Sequence, residues 1–218
     1  MVIPTLEEAS TIAGAVASAA EDGSDVIVVD GGSRDGTPDR AAAAGARVIT
    51  SDRGRARQLA TGADACDGEI LLFLHADTRL PSGYTVALAR ALRDPGVVGG
   101  AFRFAFDRSS FALRVVEWGA RLRSTLFRLP YGDQALFVRR SVLEAIGGVP
   151  QVRVMEDLDL VAAMRRTGRL VILPQKAMTS ARRYVAGGVW RTMLSHWLAA
   201  AAWGLGVDRE RIAGWLGR

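Results

Sequence analysis

Short apolar runs alternate with helical hydrophobic patterns along the first third of the chain. Runs of strand length lie at 1–4, 25–29, 47–50 and 70–74. Between them, apolar residues recur every three or four positions in segments that begin near 9, 37 and 55, and this spacing predicts helices. Thr5 and Glu8 have the spacing of a capping box for the first helix. Strands that alternate with helices are typical of parallel pairing with right-handed crossovers.

The alternation ends after Leu92. We predict strands at 97–106 and 170–173, an extended segment at 131–139, and helices at 110–127, 141–146, 156–167 and 188–205. Asp208 is placed to cap a last short helix. No internal repeat or linker divides the chain, so the sequence predicts one α/β domain over 1–218, in which 182–218 forms a C-terminal helical extension.

The charge of the chain favours anionic partners. Its 218 residues include 28 Lys and Arg against 23 Asp and Glu, a net charge of +5. Such a surface attracts phosphates, nucleic acid or an anionic membrane. However, 27 of the 28 basic residues are arginine, and a genome-wide preference for arginine codons would explain the same composition. The single Cys66 rules out an internal disulfide and favours a reducing compartment. The longest apolar run, 197–207, is shorter than the roughly 20 residues that cross a bilayer, so we expect a soluble or peripheral protein.

The run at 70–74 ends abruptly in the sequence His-Ala-Asp. A strand this apolar is usually covered on both faces, and ligand sites in parallel sheets lie just beyond the carboxyl ends of the strands. His75 and Asp77 lie two positions apart, so an extended chain directs both side chains to one side, where they could bind a metal ion. A strand followed by a simple Asx turn is the alternative.

Three further polar clusters lie where predicted elements begin or end. Asp30 ends a strand and precedes a glycine-rich loop that allows close approach to a ligand, but the loop matches neither a dinucleotide fingerprint nor a P-loop. Asp133 and Gln134 lie at the mouth of an extended segment, where an ordinary turn is the alternative. Glu156 and Asp157 open a helix, where they either complement its dipole or supply a base for a hydroxyl nucleophile.

In this order, these segments resemble glycosyltransferase family 2. The likeness covers roughly 1–175, and the joint order is more specific than any single piece. The C-terminal segment resembles a small bacterial branch of the family. The matching motifs are Pro-Thr-Leu-Glu-Glu at 4–8, Asp-Gly-Gly-Ser-Arg-Asp-Gly-Thr at 30–37, Leu-His-Ala-Asp-Thr at 74–78, Gly-Asp-Gln at 132–134 and Glu-Asp at 156–157.

The resemblance implies a GT-A fold, with a mostly parallel central sheet flanked by helices, and an inverting glycosyltransferase. By matching position, Asp77 would bind Mn²⁺ or Mg²⁺ across the donor diphosphate. His75 would be a weaker ligand because it stands where the family usually has aspartate, and imidazole suits Mn²⁺ better than Mg²⁺. Asp157 would be the general base. The other residues implied are Pro4, Thr5, Glu7, Asp30, Arg57, His75 and Ala76 for the donor nucleotide, and Asp133, Gln134, Glu156, Arg182 and Arg183 for the acceptor or phosphate side.

The implied donor is a nucleoside-diphosphate sugar, in the first instance a UDP-sugar. The resemblance does not identify the acceptor, for which a lipid and a small metabolite are the two candidates, and no nucleic acid partner is expected. Two other functions stay open. One is a nucleotidyltransferase, whose usual lysine-containing opening is absent here, and the other is a sugar-nucleotide-binding protein that has lost catalysis.

The predicted helix at 188–205 has an apolar face. We expect this face to pack against the domain, to pair with a second subunit as a homodimer, or to rest on an anionic membrane near a lipid acceptor. The protein is expected in the cytoplasm, at the inner face of the membrane in the last case. The apolar residues are Val189, Trp190, Met193, Leu194, Trp197 and Leu198.

Overall fold

An eight-stranded mixed sheet organises the computed structural model, which describes residues 1–21 and 23–216. Residues 217 and 218 of the predicted C-terminal extension lie outside the described residues. The strands pair in the order β3-β2-β1-β4-β7-β6-β8-β5. They are β1 (Val2–Thr5), β2 (Ile27–Asp30), β3 (Arg47–Thr50), β4 (Ile70–Phe73), β5 (Thr78–Arg79), β6 (Val97–Phe106), β7 (Leu136–Arg139) and β8 (Arg169–Thr179).

The first four strands form the parallel half of the sheet, as their alternation with helices predicted. β1 lies inside the sheet between β2 and β4. Its side chains alternate between the two faces: Val2 joins one hydrophobic cluster and Ile3 the other. Thr5 pairs with Asp30 in the register of β1 and β2, so both residues end at one edge of the sheet. The segment 75–77 leaves β4 at this same edge.

The second half of the sheet is mixed. β7 pairs antiparallel with β4 and β6, and β8 pairs parallel with β6. We predicted that the last strand would end at Leu173, but β8 continues to Thr179. The register shifts at this point, because Phe102 pairs with Leu173 and Arg103 with Lys176. Pro174 falls in the skipped pair of residues, and a bulge accommodates a residue without a backbone N–H.

Helices cover both faces of the sheet. The cluster around Ile3 includes residues of the helices at 12–19, 37–43 and 84–91, and the cluster around Val2 includes residues of the helices at 55–64, 140–145 and 156–167. In the two described ranges, no helix combines the length and apolarity needed to span a membrane. The helices are α1 (Ile12–Ala19), α2 (Thr37–Ala43), α3 (Arg55–Asp64), α4 (Tyr84–Ala91), α5 (Phe111–Leu126), α6 (Arg140–Ala145), α7 (Glu156–Thr167), α8 (Arg182–Gly187), α9 (Val189–Gly204) and α10 (Arg209–Trp215).

One predicted helix cap is confirmed and another is wrong. Asp208 caps α10, since its carboxylate accepts hydrogen bonds from the amides of Glu210 and Arg211. Thr5 and Glu8 do not cap α1. Thr5 is the last residue of β1, and α1 begins only at Ile12, so neither side chain reaches the first amides of the helix.

Candidate active site

Two cavities adjoin one another beyond the carboxyl ends of β1 and β4. The larger cleft has a volume of about 770 Å³, and its lining includes the end of β1 and the start of α3. The smaller cavity, of about 170 Å³, is lined largely by residues of α7, α8 and α9 and of the loop before β7. Five residues line both cavities and form a common wall: Arg55, His75, Asp77, Glu156 and Arg183.

The larger cleft brings together part of the predicted nucleotide site. The predicted residues that line it are Pro4, Thr5, His75 and Ala76. Among the described residues, three others that were predicted for this site do not line it, namely Glu7, Asp30 and Arg57. Glu7 accepts a hydrogen bond from the Arg34 amide at 2.8 Å, and the exposed Arg57 lies 3.4 Å from the Asp52 carboxylate.

The Asp30 carboxylate folds the loop that follows β2. Its Oδ2 accepts hydrogen bonds from the amides of Gly32 (2.9 Å) and Ser33 (2.8 Å). Its Oδ1 accepts from the hydroxyls of Ser33 (2.6 Å) and Thr5 (3.2 Å). Gly32 has a φ of +92°, which side chains disfavour, so the turn explains this glycine. Asp30 is buried and therefore shapes the loop beside the cleft from within the protein.

Glu8 ties the first loop of the chain to α8. Its buried carboxylate pairs with the Arg183 guanidinium at 2.6 Å and also with Arg182. The Nε of Arg183 lies 3.8 Å from Asp77 Oδ2, so Arg183 bridges two carboxylates at the common wall. Arg182 donates a hydrogen bond to the Ser10 hydroxyl at 3.0 Å and does not line either cavity as they are described.

Asp77 presents a buried carboxylate to both cavities. Burial raises the pKa of Asp77; Arg183 opposes this effect and Glu8 adds to it. In the described part of the chain, no group of three or more His, Cys, Asp and Glu converges as a metal cage. Mg²⁺ at nucleotide sites is usually held by one or two carboxylates together with substrate phosphates and water. Asp77 therefore fits a cation that binds together with a diphosphate.

His75 is held by its neighbours in the common wall. Its Nε2 contacts the guanidinium of Arg55. A guanidinium has donors only, so the ring nitrogen accepts and directs its lone pair at Arg55. The Nε of Arg55 also lies 2.9 Å from Glu156 Oε1. This arrangement favours Asp77 over His75 as the ligand of a cation in the cleft.

Asp157 lines the smaller cavity but not the larger cleft as these are described. Its Oδ2 accepts a hydrogen bond from the Gly132 amide at 2.7 Å, and its Oδ1 accepts from the Leu158 amide at 2.9 Å. It lies in the first turn of α7, where the helix dipole favours a carboxylate. A Cβ on Gly132 would meet the Arg55 guanidinium most closely and would lie 3.0 Å from His75 Nε2 and 3.1 Å from Asp157 Oδ2, so any larger residue here would displace these side chains.

Asp133 and Gln134 are adjacent but have different surroundings. The side-chain oxygen of the buried Gln134 accepts hydrogen bonds from the Ser124 hydroxyl (2.8 Å) and from Arg123 (3.1 Å), and its NH₂ group donates to a carbonyl of β6 (3.0 Å). Gln134 does not line the smaller cavity as described. Asp133 does line it, and its Oδ1 is shielded from solvent without a hydrogen-bond partner in the described structure. Burial raises the pKa of Asp133 to about 6; Arg123 opposes this effect and Asp157 adds to it.

Sequence reasoning did not assign Arg55 or Glu8 to the site. Arg55 lies in an arginine-rich stretch that offers no local signal, and its partner Glu156 is distant in the chain. Glu8 has the spacing of a helix-capping residue, so the sequence suggests a local role for its carboxylate and gives no sign of a distant partner.

The family model described as glycosyl transferase family 2 matches residues 1–147. A search of curated protein sequences found no significant match. Solved structures share the fold, so the GT-A expectation is confirmed.

Three of these structures illustrate the range of similarity. A mycobacterial protein is 25% identical, with a TM-score of 0.55, and the match covers 82% of this chain and 63% of that one. Glucosyl-3-phosphoglycerate synthase from Mycobacterium tuberculosis, in complex with Mn²⁺, UDP-glucose and phosphoglyceric acid, is 22% identical, with a TM-score of 0.65 and coverage of 95% and 79%. S. aureus TarS is 15% identical, with a TM-score of 0.64 and coverage of 82% and 36%. The chain thus spans less than two thirds of the first and third of these proteins.

Proposed function

Because the chain belongs to glycosyltransferase family 2, we propose that it moves a sugar from a nucleoside-diphosphate sugar to an acceptor hydroxyl. The observation that carries the proposal is the pair of adjoining cavities, one for each substrate, with Asp77 and Arg183 in their common wall. The synthase from M. tuberculosis binds UDP-glucose in the same fold, which supports a UDP-sugar as the donor.

The larger cleft is the donor site in this proposal. Arg183 is placed to donate hydrogen bonds to the diphosphate, because it lines the cleft and is partly exposed. Asp77 and the diphosphate together would hold Mn²⁺ or Mg²⁺, and such a cation neutralises the charge that develops on the departing nucleoside diphosphate. The Arg55–His75 contact keeps the wall between the two substrates in place.

The smaller cavity is the acceptor side, and Asp157 is the general base. Its carboxylate takes the proton of the acceptor hydroxyl as the acceptor oxygen forms a bond to the anomeric carbon. The bond from that carbon to the diphosphate oxygen breaks, and the nucleoside diphosphate leaves with the bonding electrons. Direct displacement of this kind inverts the anomeric configuration. Two backbone amides orient the base before the acceptor binds.

The experiment separates donor binding from transfer. UDP binding is measured by calorimetry with Mn²⁺, and UDP release is followed for a panel of UDP-sugars, with water or small alcohols as acceptors. Asp77→Asn is expected to weaken UDP binding at least tenfold. Asp157→Asn is expected to bind UDP as the unaltered protein does but to release it about 100-fold more slowly, the usual contribution of a general base.

Asp67→Asn is the matched control, because this carboxylate is exposed and does not line either cavity as they are described. It should change neither measurement. Binding of UDP-sugars without any turnover would indicate a catalytically idle binding protein. Full turnover by Asp157→Asn would show that another group is the base.

A further inference from the structure

Two neighbouring helices expose an apolar face, which we call the α5–α9 face. Its residues recur every three, four or seven positions along each helix, and all of them are exposed. Trp118, for example, is 63% exposed and Leu194 is 57% exposed. The residues are Phe111, Trp118, Leu122 and Leu126 on α5, and Trp190, Leu194, Trp197 and Leu198 on α9.

The two helices form one continuous surface. A Cβ on Gly119 of α5 would lie 3.4 Å from Cζ2 of Trp197, so the helices pack together here. Val189 and Met193, on the adjacent side of α9, pack against a buried cluster that includes Phe104. The apolar face predicted for this helix is therefore divided: part of it packs against the domain, and the rest is left exposed.

Positive charges flank the α5–α9 face. Arg114, Arg121 and Arg128 are exposed on α5 or just after it, and Arg191 is exposed on α9. The sequence has no acidic residue between 160 and 207. Glu117, the acidic residue within α5, accepts a hydrogen bond from a backbone amide of β6 at 2.7 Å.

We propose that the α5–α9 face binds the surface of an anionic phospholipid bilayer. Tryptophan side chains favour the boundary between lipid tails and headgroups, and arginines beside an apolar stripe bind anionic headgroups. A second copy of the chain is a poorer occupant, because its own α5–α9 face would bring arginines against arginines. Binding of this face to a bilayer does not depend on whether the chain transfers a sugar.

The test is co-sedimentation with vesicles of phosphatidylcholine alone or mixed with 30% phosphatidylglycerol. The chain is expected to sediment with the mixed vesicles and at least tenfold less with the neutral ones. Raising NaCl from 50 to 500 mM should reduce the bound fraction. The double variant Trp118→Glu/Leu194→Glu should lose binding at least tenfold, and Arg114→Gln/Arg121→Gln should bind more weakly.

The matched controls instead alter exposed residues on α4 and just after it. Val86 is 71% exposed there, and Val86→Glu should bind the mixed vesicles as the unaltered chain does. The same holds for Arg90→Gln/Arg93→Gln, which removes two exposed arginines. Equal binding to neutral vesicles, or equal loss in variants and controls, overturns the proposal. A dimer in solution that Leu194→Glu dissociates also overturns it, because the occupant is then a second copy.

Discussion

Replacing Asp133 by asparagine is expected to stabilise the folded chain at neutral pH. The Asp133 carboxylate has one oxygen that is shielded from solvent and has no hydrogen-bond partner in the described structure. Burial raises its pKa to about 6, which means that the folded chain resists ionisation of this group. Asparagine has nearly the same shape and carries no charge, so the variant removes the cost of a buried negative charge.

The size of the effect follows from the two ionisation states. The ordinary value for aspartate is 3.8, against about 6 in the folded chain. Between these pH values the folded state binds more protons than the unfolded state, so this carboxyl lowers the free energy of unfolding as the pH rises from about 4 to about 6. This decrease in the free energy of unfolding reaches about 3 kcal/mol at pH 7.5 but is only about 1 kcal/mol at pH 4.5. Because the residue as a whole is only half-buried, we expect roughly half of the 2 kcal/mol difference, about 1 kcal/mol.

Urea denaturation at pH 4.5 and 7.5 measures this difference. The gain of Asp133→Asn over the unaltered protein should be larger at pH 7.5 by about 1 kcal/mol, and comparison of the two pH values cancels any pH-independent change in packing. Asp67→Asn, at an exposed carboxylate, should show no such pH dependence. A variant that is equally destabilised at both pH values would refute the reasoning, because the carboxylate would then have a partner that stabilises its charge.

Three further predictions concern the walls of the cavities. Glu8→Gln should lower the free energy of unfolding by about 1 to 2 kcal/mol, because Arg182 and Arg183 lose a buried anionic partner. Urea denaturation measures this change, and calorimetry should show weaker UDP binding by the variant. Gly132→Ala should lower the transfer rate at least tenfold with little change in melting temperature, because the new methyl group displaces flexible side chains, including Asp157, rather than backbone. Chelation by EDTA should weaken UDP binding at least tenfold, and excess Mn²⁺ should restore it.

Glu144 is exposed, so Glu144→Gln should leave both the stability and UDP binding unchanged. A Cβ on Gly204 meets no atom within 4 Å, so Gly204→Ala should retain full transfer. If Glu8→Gln binds UDP normally, Arg183 does not depend on Glu8 for its position. Unchanged transfer by Gly132→Ala would mean that the site has room for a methyl group, and UDP binding that resists EDTA would argue against a cation at Asp77.

Local sequence patterns predicted most of the secondary structure. The predicted helix at 156–167 coincides with α7, and the predicted strand at 97–106 coincides with β6. Both have clear periodicity and ends marked by charged or small residues. The predicted strand at 170–173 was too short, because Pro174 is a strong local stop signal, and only the pairing with β6 shows that the strand resumes beyond it.

The site was less predictable than the fold. Asp77 follows a strand and Asp157 lies at the start of a helix, and the sequence pattern detects both elements. The structure places both residues on cavities. The side chains around them depend on contacts between distant segments, and a local pattern carries no information about such contacts. Gln134 illustrates the same limit. It lies next to Asp133 in a polar cluster, yet its amide faces the interior and holds α5 against the loop.

The link between Glu8 and α8 has a consequence for the newly synthesised chain. Arg182 and Arg183 follow Glu8 by 174 and 175 residues, so at about 5 to 20 residues per second they leave the ribosome roughly 9 to 35 s later. During that interval the parallel half of the sheet can already form, while Glu8 lacks its cationic partners and Asp77 lacks Arg183. On the proposed function, a chain that has not yet emerged as far as Arg183 would therefore have little affinity for a nucleotide, because its common wall is incomplete.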